Sequence, residues 1–401
     1  MAYQTTVCVT RSDGTKYWKH IRARSKTELN RKKMQVLQDV NNGYDVAARQ
    51  TFQYWADKWY REVKEPSGIS LGTLKQYESA LSVLNKALGD EKIGDITLSD
   101  FQCFINEYSQ ENPHTGKRTS RRMLVFYQTV AKDICIYAKD NHQKVSNFYK
   151  AVIPKNAPKQ KRRALTPTEI QWVVETEHPM QLGAMIMLFA GLRLNELCAL
   201  RWSDIDLGGG WIHVQNFVDF YHRNDKGAIQ RRDAHIKSTG KSESATRYVA
   251  IPPVLVSFLR QYIAEHGKES MYVFVRLNGQ LHTYNTARYL WDKYFDHLNR
   301  TYGFTAPVAD TEDVPTVIDK FTPHYLRHTY ATLLYWQGIQ PTDAMEYLGH
   351  SDIQMTMNVY TDAKGYCRAR LPEDIKQKLM TVYKVTGNDS QACVSSGGKI
   401  F

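Results

Sequence analysis

The chain has 401 residues, more than one ordinary hydrophobic core organises, so its length predicts two or three domains. Hydrophobic residues make up 42% of it and aromatic residues 12%, which excludes wholesale disorder. The formal net charge of +12 lies in two segments: nine basic residues against two acidic ones between Arg11 and Lys33, and five basic residues between Lys155 and Arg163. Charge concentrated in this way indicates a polyanion, most often nucleic acid; ordinary solvated surface charge is the alternative.

Cysteine usage and hydropathy point to a cytoplasmic protein that does not contact a membrane. The six cysteines are scattered, without a CxxC pair or a histidine at ligand spacing, which predicts reduced thiols and no zinc. The N-terminal residues have no apolar signal core. The most apolar run, from Leu182 to Leu192, has 11 residues, whereas about 18 are needed to span a bilayer.

The first 50 residues are predicted to form a small β-rich unit. Residues 3–24 alternate between apolar and polar side chains around a turn at Ser12-Asp13-Gly14, which predicts a hairpin. A capping box from Ser25 to Glu28 then predicts a helix through Val40. Basic strands followed by a helix could lie in a DNA groove, although a small structural unit explains the pattern equally well. The candidate DNA-binding residues here are Lys16, Lys19, Arg22 and Arg24.

A helical domain is predicted over residues 51–155. Phe52, Trp55 and Trp59 repeat at helical spacing, and further helices are expected over 71–88, 99–108 and 119–138. Four basic residues surround the start of the last helix, where side chains and free N–H groups could meet phosphate; a solvated basic turn is the alternative. These candidates are Lys117, Arg118, Arg121 and Arg122.

A basic linker over residues 156–163 separates this domain from a third one. It is extended and poor in apolar residues, as a linker that runs along DNA would be. Its candidate DNA-binding residues are Lys159, Lys161, Arg162 and Arg163. The third domain, over 164–385, starts with a helix at Thr166-Pro167 and continues through the strands WIHVQNFV and RYVAI into further helices. Residues 386–401 form a polar tail that we expect to fray.

Four short motifs of the third domain carry cations or a phenol. Arg193 follows an apolar helix, so its charge must either pair with an anion or face solvent. The simplest partner within the chain is Glu196, three residues on, with which it could form a salt bridge. Lys241 precedes a strand, and Lys237 is an equally good candidate by type. The remaining candidates are a histidine and arginine at a spacing of three, and a histidine followed by a tyrosine ten residues later: His324, Arg327, His350 and Tyr360. Helix capping or contact with solvent is the alternative for the first pair, and a buried tyrosine with a satisfied hydroxyl is the alternative for Tyr360.

The order and spacing of these motifs resemble the tyrosine recombinases, also called the phage integrase family. The matching motifs are AGLRLNEL, a hairpin lysine, HxxR and LGH followed by tyrosine. The three-part plan looks most like integrases of conjugative transposons and temperate phages. The resemblance implies a multidomain, mainly α protein. Its parts would be an arm-type DNA-binding unit, a core-site helical domain of the SAM-like type and a mixed α+β catalytic domain of the tyrosine recombinase fold.

The chemistry that the resemblance implies is DNA cleavage and rejoining without a metal or another cofactor. Tyr360 would attack a phosphodiester and form a 3′-phosphotyrosyl link. Arg193 and Arg327 would grip the non-bridging oxygens. Hairpin Lys241 would protonate the leaving 5′-oxygen, or Lys237 if the register is shifted. The other implied roles are proton transfer or phosphate binding by His324, a hydrogen bond from His350 to phosphate, and orientation of the cluster by Glu196.

The implied partners are double-stranded DNA with core and arm-type attachment sites, three sister subunits in a homotetramer on DNA, an excisionase and a host DNA-bending protein. The C-terminal helix would dock on its own domain or on a neighbouring subunit. Two other functions fit the same motifs: relaxation of DNA as in type IB topoisomerases, and non-catalytic regulation through DNA binding. The separate basic N-terminal unit favours integration, because relaxation of supercoils needs no second sequence-specific contact.

Overall fold

A computed structural model gives the structure of the chain for residues 3–10, 16–42, 44, 50–113, 115–158, 163–231, 233–238, 246–268, 270–305, 308 and 314–368, and of residues 362–368 only the backbone. The chain divides into two compact units, Met1–Lys161 and Arg162–Phe401. Among the helices of these residues, none is long and apolar enough to cross a membrane.

The helices of the described residues are α1 (Lys26–Asn41), α2 (Phe52–Trp59), α3 (Leu71–Leu88), α4 (Leu98–Gln110), α5 (Arg121–Asp140), α6 (Pro167–Glu175), α7 (Gln181–Ala190), α8 (Leu194–Leu197), α9 (Pro253–His266), α10 (Tyr284–Tyr302), α11 (Pro323–Trp336), α12 (Pro341–Leu348) and α13 (Ile353–Arg368). The strands are β1 (Tyr3–Thr10), β2 (Lys16–Ala23), β3 (Ile205–Asp206), β4 (Trp211–Val214), β5 (Asn216–Asp219), β6 (His222–Arg223), β7 (Ile229–Gln230), β8 (His235–Ser238) and β9 (Arg247–Ala250).

The N-terminal unit begins with the predicted hairpin and helix. β1 and β2 pair antiparallel, with Tyr3 opposite Ala23 and Thr10 opposite Lys16. Alternation places one face of this pair against α1 and leaves the other to solvent, as expected for a half-buried sheet. The predicted turn at 12–14 lies outside the described residues. Ser25 caps α1 by accepting from the N–H of Glu28, but the Glu28 carboxylate accepts from the N–H of Arg24, one residue before the expected partner.

The helical part of the N-terminal unit follows the sequence periodicity closely. α3 has the predicted bounds, whereas α4 and α5 are displaced by one to two residues at their ends. The aromatic residues at helical spacing, Phe52, Trp55 and Trp59, are all buried in the core between α2, α3, α4 and α5. These residues are therefore used for packing, and the core they form supports the basic N-terminus of α5.

The C-terminal unit packs helices around α7, which is buried from Leu182 to Ala190 because it is apolar on all sides. Its small sheets have the orders β3-β4-β9, β5-β8 and β6-β7. The segment WIHVQNFV is therefore two strands, where one was predicted. β4 pairs with β9 and β5 pairs with β8, so the backbone changes partner at Gln215. Alternation alone does not reveal such a change, because both strands keep a period of two.

Candidate active site

The centre of the site is Glu196, a carboxylate with 6% exposure that is surrounded by three guanidinium groups. Arg247 contacts both carboxylate oxygens, with Nη1 3.2 Å from Oε1 and Nη2 2.9 Å from Oε2. Arg193 Nη1 donates to Oε1 at 2.7 Å, and Arg327 Nη1 lies 3.9 Å from Oε2. A buried charge is tolerated where it is paired and hydrogen-bonded, and Glu196 meets both conditions.

Arg193 is held by the way in which α7 ends and α8 begins. α7 ends at Gly191, whose φ of 64° is left-handed and favours glycine. A Cβ at this position would also overlap the ring of Tyr330 on α11. Arg193 is the N-cap of α8, and its N–H donates to Glu196 Oε2 at 2.9 Å. The short sequence from Gly191 to Glu196 thus fixes both the arginine and its counterion.

Arg327 is anchored through backbone carbonyls rather than through a close ion pair. It lies one turn into α11 with 5% exposure, and its Nη1 donates to the Gly191 carbonyl at 2.6 Å. Its Nη2 donates to the Leu348 carbonyl at the end of α12, while Arg193 Nη2 donates to the next carbonyl, that of Gly349, at 2.9 Å. The two arginines therefore join the end of α7 to the end of α12.

The site carries an excess of positive charge. Burial acts to raise the pKa of Glu196, but the charges of Arg247, Arg193 and Arg327 outweigh burial and lower it to about 2. Burial and the nearby Arg193 lower the pKa of Arg327 to about 9, so it stays protonated near neutral pH. Three guanidinium groups and one carboxylate leave two positive charges, and of these four groups only Arg193 has a substantially exposed side chain, at 32%. Such a site favours binding of an anion.

His350 follows α12 and is neutral near pH 7. Burial, followed by the charges of Arg327 and Arg193, lowers its pKa to about 4. Its Nδ1 lies 2.9 Å from the hydroxyl of Thr356, in the first turns of α13. This contact brings the start of α13 to the cationic cluster.

Tyr360 lies on α13, one turn after Thr356 and on the same helical face. Its side chain is buried at 4% exposure, its ring packs edge-on against Tyr335 at 5.0 Å, and its hydroxyl donates to the carbonyl of Ile339 at 3.1 Å. Burial and the charge of Asp343 raise the pKa of Tyr360 to about 12. The phenol is therefore protonated at neutral pH, and its hydroxyl is bound to a backbone carbonyl.

Comparison with known proteins identifies the family. The sequence profile described as "Phage integrase family" matches residues 163–365, just over half of the chain. The chain belongs to the phage integrase family. "Tyrosine recombinase XerC-like" of Caldanaerobacter subterraneus subsp. tengcongensis is 25% identical over 388 residues, covering 90% of this chain and 92% of the relative. "Integrase" of Staphylococcus phage L54a is 23% identical over 357 residues, covering 82% and 92% respectively.

Solved structures of integrases share the fold of this tyrosine recombinase. The Tn1549 transposon integrase in complex with transposon right-end DNA has a TM-score of 0.59 at 20% identity, covering 83% of this chain and 99% of that one. A lambda integrase tetramer bound to a Holliday junction has a TM-score of 0.53 at 18% identity, covering 89% of this chain and 92% of that one. These similarities confirm the predicted mainly α, multidomain tyrosine recombinase fold.

Sequence reasoning did not find one member of the cluster in this recombinase, Arg247. It lies in β9 with 7% exposure, and besides Glu196 its Nε donates to the carbonyl of Tyr347 on α12 at 2.8 Å. The sequence predicted the strand RYVAI but assigned no role to its first residue. The available signal was the alternation of the strand, which places Arg247 and Val249 on the same, inward face. A charged residue on that face needs a buried partner.

The other predicted catalytic residues are His324, Lys237 and Lys241. His324 is exposed in the first turn of α11 and has a partner. Lys237 lies in β8, and its ammonium is paired with Asp219 of β5 at 2.5 Å. Lys241, the other candidate for the hairpin lysine, lies outside the described residues.

The predicted DNA-binding residues differ in exposure and in the contacts they make. Six are exposed: Lys16, Arg22, Arg24, Lys117, Arg118 and Arg122. Lys19 is half-buried and has a partner. Three arginines bind protein groups: Arg118 and Arg121 donate to carbonyls between Ser109 and Asn156, and Arg163 is bidentate to Glu169 at 2.6 Å. Lys159, Lys161 and Arg162 lie outside the described residues.

Proposed function

We propose that this recombinase cleaves and rejoins DNA at specific sites through a 3′-phosphotyrosyl intermediate, and that it thereby integrates and excises a mobile element. The single observation that carries the proposal is the excess of two positive charges around the buried Glu196, placed beside the helix that bears Tyr360. A phosphodiester has one negative charge, and the pentavalent transition state of attack by an oxyanion has two. The charge of the site thus matches the transition state better than the ground state, which is the condition for catalysis.

The proposed reaction is an exchange of one ester for another. Tyr360 Oη forms a bond to phosphorus as the bond from phosphorus to the 5′-oxygen breaks, and the phenolic proton is transferred to a base. His324, on the exposed first turn of α11, is the proposed base or phosphate ligand. Lys241 or Lys237 protonates the leaving oxygen, and Arg193, Arg327 and His350 bind the non-bridging oxygens. Attack by the 5′-hydroxyl of another strand reverses the step, so no phosphate is lost to water.

The hydrogen bond between Tyr360 and Ile339 means that the described conformation is not yet reactive. For attack, the phenol must leave the Ile339 carbonyl and lose a proton whose pKa is about 12. We propose that DNA supplies both changes. A phosphate bound at the cluster would offer the Tyr360 hydroxyl a new partner in place of the Ile339 carbonyl, and would bring the phenol and the cationic groups closer together, which favours loss of the proton.

The domain roles are also part of the proposal. Residues 1–50 would bind arm-type DNA, 51–155 would bind the core site, and 164–385 would catalyse the exchange, with 156–163 as a linker along DNA. The support is the exposed basic group on β2 and around the start of α5. A homotetramer on DNA is supported by the fold shared with lambda integrase, which was solved as a tetramer on a Holliday junction. An excisionase and a host DNA-bending protein complete the proposed partners.

A nicked attachment-site duplex tests this proposal. After cleavage, the short fragment between the cleavage site and the nick, which carries the 5′-hydroxyl, diffuses away. The strand can then not be rejoined, so the covalent complex accumulates and is detected by denaturing electrophoresis. Wild type should give a labelled adduct, and Tyr360→Phe should give none while it still binds the duplex. Tyr335→Phe, which retains the ring packed on Tyr360, is the matched control and should still form the adduct.

Two results would contradict the proposal: an adduct that persists in Tyr360→Phe, or wild type that binds the site without forming an adduct. The rival topoisomerase activity predicts relaxation of a supercoiled plasmid that lacks attachment sites, with the same rate as one that has them. Equal rates on the two plasmids would favour DNA relaxation over site-specific recombination as the function of the protein.

A further inference from the structure

A cluster of two imidazoles and a carboxylate lies outside the candidate active site. His222 is on β6, and Asp233 and His235 are at the entrance to β8. One potential ligand atom from each of these residues lies within 4.8 Å of the other two, the only such set of three among the residues whose structure is described. Within the cluster, His222 Nε2 and Asp233 Oδ2 lie 3.0 Å apart. We propose that this cluster is a binding site for a divalent transition-metal ion of the zinc class.

The distances are compatible with metal coordination. Zinc bonds to imidazole nitrogen and carboxylate oxygen of about 2.1 Å, arranged tetrahedrally, place neighbouring ligand atoms about 3.4 Å apart. The pair at 3.0 Å is already close to that value, and since all three atoms lie within 4.8 Å of one another, no separation has to shorten by more than about 1.4 Å. His235 and Asp233 are exposed, so this adjustment does not disturb a core and the remaining coordination position is open to water.

The surroundings of His222 leave the imidazole incompletely satisfied without a cation. Its Nε2 lies 2.9 Å from the amide nitrogen of Gln230, which donates, and 3.0 Å from Asp233 Oδ2, which accepts. One ring nitrogen cannot accept from the first and donate to the second. Its Nδ1 is buried and has no hydrogen-bond partner among the described atoms. A metal ion at Nε2 would take the place of the Gln230 amide on the imidazole lone pair and would bind the Asp233 carboxylate as well.

The ligand types select the metal. Two imidazoles and one carboxylate suit zinc, cobalt, nickel or copper, whereas magnesium and calcium prefer oxygen ligands alone. The nearby cation Arg231 is already engaged, because its guanidinium lies 4.4 Å from the ring centroids of both Tyr221 and Tyr284. Bound metal would connect β6 to the start of β8, and would thus link the two ends of the segment that contains β7.

The test is zinc binding by the full-length chain without a histidine tag, after chelator treatment and in the absence of DNA. Titration against a chromogenic chelator should give one tight site per chain. His235→Ala should weaken that site by about tenfold or more, since even groups that only orient a ligand contribute this much. His266→Ala, at an exposed histidine at the end of α9, is the matched control and should leave the affinity unchanged.

Cobalt substitution distinguishes this site from one built by cysteines. Cobalt at His222, Asp233 and His235 should give visible d–d absorption without a thiolate charge-transfer band, and His235→Ala should abolish it. His235 is exposed, so this variant should keep the wild-type melting temperature in the metal-free state, which shows that it is folded. A thiolate band, equal affinity in His235→Ala and His266→Ala, or no tight site in wild type would each overturn the proposal. None of these outcomes depends on whether the chain recombines DNA.

Discussion

Glu196 is the residue on which the geometry of the site depends. Each of the three guanidinium groups around it is drawn from a different element: Arg193 from the start of α8, Arg247 from β9 and Arg327 from α11. Replacing a whole buried ionic group by apolar residues can be neutral, but removing one partner leaves uncompensated charges in a poorly solvated place. Glu196 contacts all three arginines, so its loss should be felt by each of them.

Glu196→Gln should lower the free energy of unfolding of the C-terminal unit by about 3 kcal/mol, the scale of a broken buried ion pair. The amide preserves the size of the side chain, so the effect reports charge rather than a cavity. Denaturant-dependent hydrogen exchange of amides in α7 and α11 measures it within this unit alone. Glu177→Gln, at an exposed position in the same unit, should change the free energy by less than about 0.5 kcal/mol. Equal effects of both variants would contradict the central role of Glu196.

The same carboxylate should make stability depend on pH. Its pKa is lowered from 4.5 to about 2 in the folded chain, so the unfolded chain binds the proton more readily. The stabilisation is complete above pH 4.5 and is lost as the pH falls toward 2. The difference in unfolding free energy between wild type and Glu196→Gln should therefore shrink across this window, measured by the same exchange experiment. A difference that stays constant from pH 6 to pH 3 would contradict the assignment of the charge.

At the scale of one element, the N-terminus of α5 is bound mainly to protein rather than left open for phosphate. The N–H of Arg121 donates to the carbonyl of Pro158, and its Nη1 donates to the carbonyls of Ile153 and Pro154. Arg118 Nη2 donates to Asn156 on the same segment. These bonds hold residues 153–158, which precede the basic linker, against the start of α5. Arg122, the next residue of the helix, is exposed.

We therefore expect neighbouring arginines to have different roles in DNA binding. Arg122→Ala should reduce the slope of log affinity against log salt by about 1, the effect of one lost phosphate contact. Arg121→Ala should instead speed hydrogen exchange in residues 153–158 of the free protein, because it removes the bonds that hold them. Fluorescence anisotropy with a core-site duplex at several salt concentrations gives the slope. If Arg122→Ala left the slope unchanged, the basic turn would be merely solvated.

At the scale of the whole molecule, the basic N-terminal residues and the catalytic cluster belong to different compact units. Within the first unit, the hairpin and α1 have a small core of their own, and Asp39 of α1 is paired with Lys144 at 2.7 Å. The candidate active site is built entirely from residues of the second unit. The steps of chemistry should therefore be separable from recognition by residues 1–50.

Deletion of residues 1–50 should spare cleavage of a core-site duplex while weakening integration into DNA that contains arm-type sites. Asp39 is lost in this variant, but its partner Lys144 is already more than half exposed and can be solvated. Adduct formation on the nicked core duplex and product formation on a full attachment site measure the two activities. Loss of the adduct in the truncated chain would contradict the proposed division of roles.

The sequence predicted most of the helices because their signals are local. α3 has the expected bounds, and Thr166 and Glu169 form the predicted capping box at the start of α6. The break between β4 and β5 was missed, because strand partners are chosen by residues distant in sequence. The salt bridge of Arg193 with Glu196 was foreseen as an alternative to an anion-binding role, and the structure contains it. With two further arginines on the same carboxylate, this pair no longer argues against anion binding.

The spacing of residues along the chain was enough to predict the family, which the family profile confirms, and to single out the motifs at Arg193, Arg327, His350 and Tyr360. How the charges are shared is visible only in the folded chain. The tertiary structure placed Arg247 on Glu196, bound Arg163 to Glu169, and brought His222 to Asp233 and His235. Such contacts join residues from 6 to 51 positions apart, and their energies depend on burial and distance, neither of which is encoded in local pattern.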